Sequence, residues 1–184
     1  MAQKGTRSSF GSDRPGLWVR LDDFLRALAP AGITLVLILI SLTPSRLPFF
    51  VHVAPMLSLI SVFFWAVTRP GSIGYGTAFL LGAAEDALTG APLGSTSLVF
   101  LLMLMLVNSQ ARFFMARTFF PTWWVFSVVA VTAAVMKWGL VSLHNMHVMD
   151  LRAIAFCSLI TIAIYPLFAW ALGWVNVLIY RSPE

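Results

Sequence analysis

The chain has 184 residues, of which 59% are hydrophobic and only 10% are charged, and its net charge is +5. With a mean hydropathy of +0.88, it holds more apolar surface than a water-soluble domain of this size can bury, so a soluble fold is excluded. The basic residues lie mainly at the ends of apolar segments, which favours anionic lipid headgroups over nucleic acid as their counterpart.

The N-terminal region is polar at first and then becomes amphipathic. Residues 1–14 are rich in Gly and Ser, which predicts a disordered cytoplasmic tail. Residues 15–27 place apolar and charged side chains on opposite helical faces, which predicts an amphipathic helix in the plane of the lipid headgroups. The alternative is that this segment extends the first membrane span. No cleavable signal peptide is expected, because no short apolar core follows the basic start directly.

Residues 28–181 are predicted to form one all-α membrane domain of six transmembrane helices. The predicted spans are about 28–43, 50–67, 73–88, 95–111, 121–143 and 153–179. Each approaches the length of about 20 residues that crosses a bilayer. The third and fourth are both short, and the Gly-rich turn between them could dip into the membrane.

The distribution of Lys and Arg predicts that both termini are cytoplasmic. In that orientation nine basic residues face the cytoplasm: Lys4, Arg7, Arg14, Arg20, Arg26, Arg69, Arg112, Arg117 and Arg181. Only Arg46 and Arg152 lie outside, and Lys137 falls within the fifth span.

The third span combines small residues with two adjacent acids. Gly74, Ala78, Gly82 and Asp86 recur at every fourth residue, which predicts one helical face that a neighbouring helix can approach closely. Glu85 precedes Asp86, and the turn formers Gly90, Pro92 and Gly94 follow. Acids within a membrane segment are costly and usually face protein or water. We expect a buried carboxylate that fixes the fold or a partner contact; the alternative is a solvated helix end.

Two further residues interrupt the later spans. Lys137 lies in the outer third of the fifth span and is predicted to pair with Asp86 or Glu85, unless its side chain extends to the outer headgroups. Pro166 bends the sixth span and leaves a carbonyl without its helical donor. The bend either shapes a cavity or partner groove or serves packing alone.

No constellation in the sequence indicates catalysis. The acidic pair could act as general acid and base, but no nucleophile, metal-ligand set or phosphate-binding loop accompanies it, so we expect neither an enzyme nor a cofactor. His144, His147 and Asp150 could hold a metal ion. Such a loop is more often simply polar, and we expect no metal.

Together these motifs resemble one family. Trp65 and Arg69–Pro70 lead into a Gly-rich helix that ends in G-x-x-x-D (Gly82 to Asp86) and is followed by Pro92–Leu93–Gly94. This resembles MreD, the rod shape-determining membrane proteins of bacteria, over roughly residues 30–180. The Tyr165–Pro166 step is similar as well. Glu85 departs from the family pattern, in which an apolar residue would be expected.

The resemblance implies a non-catalytic, multi-pass protein of the bacterial inner (cytoplasmic) membrane. It implies binding to the bitopic protein MreC and membership of the machinery that inserts peptidoglycan during elongation. That machinery also contains MreB filaments, a SEDS-family glycosyltransferase and a penicillin-binding transpeptidase. The family's fold is similar to the six-helix substrate-binding subunits of energy-coupling-factor transporters. The alternative function is therefore a vitamin- or metal-binding transporter subunit.

Overall fold

The structure, a computed structural model, describes residues 17–42, 55–110, 119–145 and 151–180, with backbone alone for residues 17–27, 119, 144, 145 and 153. These residues form six helices and no strand, so the prediction of an all-α protein is confirmed for the described part of the chain. The helices are α1 (Leu17–Leu42), α2 (Leu57–Thr68), α3 (Tyr75–Thr89), α4 (Ser95–Ser109), α5 (Phe119–Asn145) and α6 (Leu151–Tyr180).

Length and apolar composition together distinguish α5 and α6 among the described helices. Their segments Phe120–Leu143 and Ile154–Tyr180 are long and apolar enough to cross a membrane. Leu28–Leu42, α2 and α4 are apolar but shorter. A helix of 15 residues such as α4 measures about 22 Å, against a hydrocarbon core of about 30 Å. The described helices thus support a membrane protein, while six complete crossings stay a prediction.

Helix α1 is continuous across the boundary that the sequence predicted near residue 28. It runs from Leu17 to Leu42 with Pro30 inside it. The hydroxyl of Thr34 donates to the Pro30 carbonyl at 2.8 Å and also shares a 2.8 Å hydrogen bond with Ser61 of α2. The predicted amphipathic segment is therefore helical from Leu17 onward and joined to the first apolar segment. Its placement in the headgroup plane stays a prediction, and the predicted tail, 1–14, lies outside the described residues.

The core of the bundle is built around α2, in which every residue from Leu57 to Ala66 is buried. This helix packs against α1, α4 and α6. Its Phe63 meets Phe126 of α5 edge-on at 5.2 Å, and Phe126 stacks on Tyr165 of α6 at 4.1 Å. Aromatic pairs of this geometry add to the stabilisation that burial alone provides. They fix α2, α5 and α6 to one another.

The outward faces of α5 and α6 carry large apolar side chains. Trp124, Trp170, Trp174 and Leu178 are all more than half exposed. In water so many exposed large apolar side chains would promote association. In a bilayer it faces lipid at no such cost, which agrees with the composition of the chain.

Candidate functional site: the closed hairpin of α3 and α4

Helices α3 and α4 form a hairpin that is closed by a short turn. Helix α3 ends at Thr89, and the capping residue Gly90 is left-handed (φ 70°) and donates its N–H to the Asp86 carbonyl. The Pro92 carbonyl then accepts the Ser95 N–H at 3.1 Å, where α4 begins. Gly94, between them, has a φ of 97°, a conformation that side chains with a Cβ rarely adopt. The turn thus favours glycine at positions 90 and 94, where the sequence has glycine.

Asp86 is fully buried at the centre of this turn and caps the neighbouring helix. Its Oδ2 accepts the Gly94 N–H at 2.9 Å, and its two oxygens share the Thr96 N–H at 3.0 and 3.1 Å. The Ser95 hydroxyl donates to Oδ1 at 3.0 Å. The first N–H groups of a helix lack internal partners and carry partial positive charge, so they stabilise a carboxylate. Asp86 of α3 therefore closes the N-terminus of α4.

Gly82, one turn before Asp86, allows the two helices to touch. A Cβ at Gly82 would lie 2.5 Å from both the backbone N and the Cα of Ser97. Neither backbone atom can move aside as a flexible side chain could. Beside this contact, the Ser97 hydroxyl donates to the Phe79 carbonyl at 2.9 Å. The hairpin is thus packed backbone against backbone at this point.

The small-residue face predicted from the sequence is shorter in the structure. Ala78, Gly82 and Asp86 are all buried on α3. Gly74 is exposed and precedes the helix, with an extended backbone (φ −77°, ψ 162°). Its carbonyl accepts the Ala78 N–H at 3.0 Å, so it begins the helix rather than packing within it. The prediction that Gly74 shares the packing face is wrong. The spacing of four residues extends one position before the N-terminus of α3, where Gly74 lies.

Glu85, the neighbour of Asp86, forms an ion pair with a residue of α5. Its Oε1 lies 3.6 Å from Lys137 Nζ, with the Lys and Glu side chains 25% and 13% exposed. The sequence left open which acid Lys137 would meet. The structure places Glu85 beside it, while both oxygens of Asp86 are engaged by α4. Asp86 therefore forms hydrogen bonds with α4, whereas Glu85 forms an ion pair with Lys137 of α5.

A small cavity adjoins the Glu85–Lys137 pair, with a volume of about 10 Å³. Its walls come from α2, α3, α4 and α5 and from Met56, which precedes α2. They include Leu59, Phe100 and Ala133 besides the charged pair. A space of this size holds about one water molecule. It is too small for a vitamin-sized ligand.

Pro166 lies inside α6. The backbone carbonyl that therefore lacks its helical donor accepts a hydrogen bond from a side chain of α5. Proline lacks the N–H that would bond the carbonyl four residues earlier, that of Ile162. The indole Nε1–H of Trp123, on α5, donates to this Ile162 carbonyl at 3.2 Å. The bond ties α5 to α6 at the proline.

Sequence reasoning missed the donors at this site. Ser95, Thr96 and Ser97 follow Gly94 as three consecutive hydroxyl residues, a signal typical of a helix start. That signal could have marked α4's N-terminus as the binding site of the acid. For Trp123, the proline identifies Ile162 as the orphan acceptor, but nothing in the sequence identifies the donor.

The arrangement can hold helices together. Both oxygens of Asp86 are occupied, which leaves neither poised to take a proton from a substrate. Among the described residues, no group of three or more His, Cys, Asp or Glu could hold a metal. The side chains of His144, His147 and Asp150 lie outside the described residues.

Comparisons with known proteins agree with the resemblance drawn from the motifs. The family described as rod shape-determining protein MreD matches residues 23–176. An uncharacterized protein of Rickettsia prowazekii, RP566, is 26% identical over 114 residues, which cover 62% of this chain and 65% of that protein. The matched segment thus spans a little under two thirds of that relative. No solved structure matches the chain.

Proposed function

Since the chain belongs to the family of rod shape-determining protein MreD, we propose that it is a non-catalytic membrane scaffold of the cell-wall elongation machinery. The observation that supports this most is the family match itself, because residues 23–176 include the whole α3–α4 hairpin and its Asp86 turn. A role in rod shape follows from the family. The scaffold mechanism is our proposal.

The partner we propose is an MreC-like bitopic membrane protein, whose single helix docks in a groove between helices of this chain. In lipid, helices associate through close packing and hydrogen bonds, because lipid tails remove the hydrophobic drive. Hairpin geometry would then decide affinity. Asp86 and Gly82 set that geometry, since one caps α4 and the other lets it approach α3. MreB filaments, the SEDS-family glycosyltransferase and the penicillin-binding transpeptidase would be reached indirectly.

The proposed location is the bacterial inner membrane, with six crossings and both termini in the cytoplasm. Two described helices are long enough to cross, and the remaining apolar helices are shorter. The excess of Lys and Arg in the predicted cytoplasmic segments supports the orientation. The short helices would be accommodated by local thinning of the bilayer.

The alternative, a substrate-binding subunit of an energy-coupling-factor transporter, would need an enclosed polar pocket. The cavity beside Glu85 has room for about one water molecule. Its neutral walls are mostly apolar. This cavity therefore does not supply the pocket that a transporter subunit would need.

Depletion of the protein in a rod-shaped bacterium tests the proposal. We expect cells to widen and round as the protein is lost, and the wild-type gene to restore the rod. Cell width is measured by microscopy, and labelling of new peptidoglycan along the cylinder is measured in the same cells. Cells that keep their width and lateral labelling after complete depletion would contradict the scaffold role.

A further inference from the structure

Two buried polar atoms near the hairpin have no hydrogen-bond partner among the described residues. They are Glu85 Oε2 and Thr96 Oγ1. Thr96 is only 3% exposed. Its backbone N–H is used by Asp86, whereas its hydroxyl is not. Leaving such a group without a partner is costly, and buried polar atoms in folded proteins are nearly always satisfied.

Both residues line the same cavity, the space of about 10 Å³ described above. Its charged lining residues are Glu85 and Lys137, and Val99 and Phe100 are among its apolar ones. A water molecule needs about this volume together with two to four polar partners. The cavity offers a carboxylate oxygen that accepts, a hydroxyl that donates and accepts, and an ammonium that donates.

We infer that this cavity is a binding site for one structural water molecule, which bridges Glu85 Oε2 and Thr96 Oγ1 beside Lys137. The water donates to the carboxylate, which cannot donate itself, and gives the hydroxyl its missing partner. A metal cation is disfavoured because the Lys137 ammonium lies 3.6 Å from Glu85 Oε1. That distance exceeds the 2.7–2.9 Å of a direct charge-assisted hydrogen bond, which leaves the ammonium able to orient toward a third group.

The bridge extends the ion pair into a polar centre shared by three helices. Glu85 belongs to α3, Thr96 to α4 and Lys137 to α5. Asp86 joins α3 to α4 and the Glu85–Lys137 pair joins α3 to α5, so the water would connect Thr96 of α4 to that pair. This inference rests on the cavity and the two atoms, and it is independent of the scaffold role.

Thr96→Val tests the inference by the sign of its effect, since it removes the hydroxyl and keeps the shape. With the water bridge present, the variant strands the water and Glu85 Oε2, so the melting temperature in detergent falls. Thr96→Ser keeps the hydroxyl and should retain more of the melting temperature. The matched control is Thr132→Val, at an exposed site where the hydroxyl bonds only its own helix. It should leave the melting temperature unchanged.

A melting temperature that is unchanged or raised in Thr96→Val would overturn the inference, because deleting an unpartnered hydroxyl relieves a cost. If Thr96→Val does not fold, the wild-type protein provides the test instead. An experimental density map that resolves ordered waters should show one within hydrogen-bond distance of both atoms. A resolved cavity without that density would equally overturn it.

Discussion

At the scale of single residues, the site depends on the carboxylate of Asp86 and on the absence of a Cβ at Gly82. The Asp86 carboxylate satisfies the first N–H groups of α4, and the missing Cβ of Gly82 admits the backbone at Ser97. Both residues stood out in the sequence because of their spacing. Their partners did not, since the spacing of one helix carries no information about which backbone packs on it. Gly74 shows the same gap: periodicity cannot locate where a helix begins.

Gly82→Ala should destabilise the protein. The new methyl would sit 2.5 Å from two backbone atoms, which have to separate. Overpacking of this kind costs about 1–3 kcal/mol, and rigid neighbours favour the upper part of that range. Unfolding in detergent, followed by circular dichroism, measures the loss.

Gly76→Ala is the matched control on the same helix, because a Cβ there meets nothing within 4 Å. It should be neutral or stabilise α3 by up to about 1 kcal/mol, the difference in helix propensity. Equal stability of the two variants would show that α3 and α4 do not pack at Gly82.

At the scale of elements, the helices are joined by polar contacts at defined points. Asp86 joins α3 to α4, Glu85 joins α3 to Lys137 of α5, and Trp123 joins α5 to the Ile162 carbonyl of α6. A buried polar group that loses its partner is costly to leave unpaired. Each contact is therefore expected to specify which helices are neighbours as well as to stabilise them.

The Glu85–Lys137 contact predicts a rescue by charge exchange. Glu85→Lys or Lys137→Glu alone brings like charges together where the native atoms lie 3.6 Å apart. The cost should fall between about 1 kcal/mol for an exposed pair and 3–5 kcal/mol for a buried one. The variant that carries both changes should regain much of the stability, measured as the midpoint of unfolding in detergent. A double variant no more stable than the worse single one would argue against the pair.

The Trp123 contact predicts a dependence on Pro166. Trp123→Phe leaves the Ile162 carbonyl without a partner, which costs about 1–3 kcal/mol. In the Pro166→Ala background, position 166 again supplies an N–H to that carbonyl. Trp123→Phe should therefore cost less there, and a double-mutant cycle on detergent unfolding measures the difference.

The neighbouring Trp124 is the control for this cycle. It lies on the same helix and is 59% exposed. Trp124→Phe should cost little in either background. An identical cost of Trp123→Phe with and without Pro166 would mean that the indole does not serve this carbonyl.

At the scale of the whole molecule, composition was the most informative part of the sequence. An all-α membrane protein follows from the length and number of apolar segments. The motif around Asp86 pointed to the family that the match over residues 23–176 shows. The helix lengths were harder to predict. Helix α3 spans 15 residues and α4 another 15. Their ends are set by the glycines of the turn and by capping, which hydropathy does not register.

We propose that the hairpin closed by Asp86 gives the molecule the shape that its partner recognises. Asp86→Ala removes both side-chain oxygens that accept hydrogen bonds from Gly94, Ser95 and Thr96, so the ends of α3 and α4 should separate while the apolar helices still insert. Thr34→Val is the control, because it removes a buried hydrogen bond between α1 and α2, outside the hairpin.

The most direct measurement is affinity purification of an MreC-like partner with each variant, normalised to the amount of the variant in the membrane. We predict that Asp86→Ala inserts near the wild-type level yet recovers several-fold less partner, while Thr34→Val recovers a wild-type amount. Full recovery of the partner with Asp86→Ala would contradict the proposal that the hairpin closed by Asp86 shapes the partner's binding site.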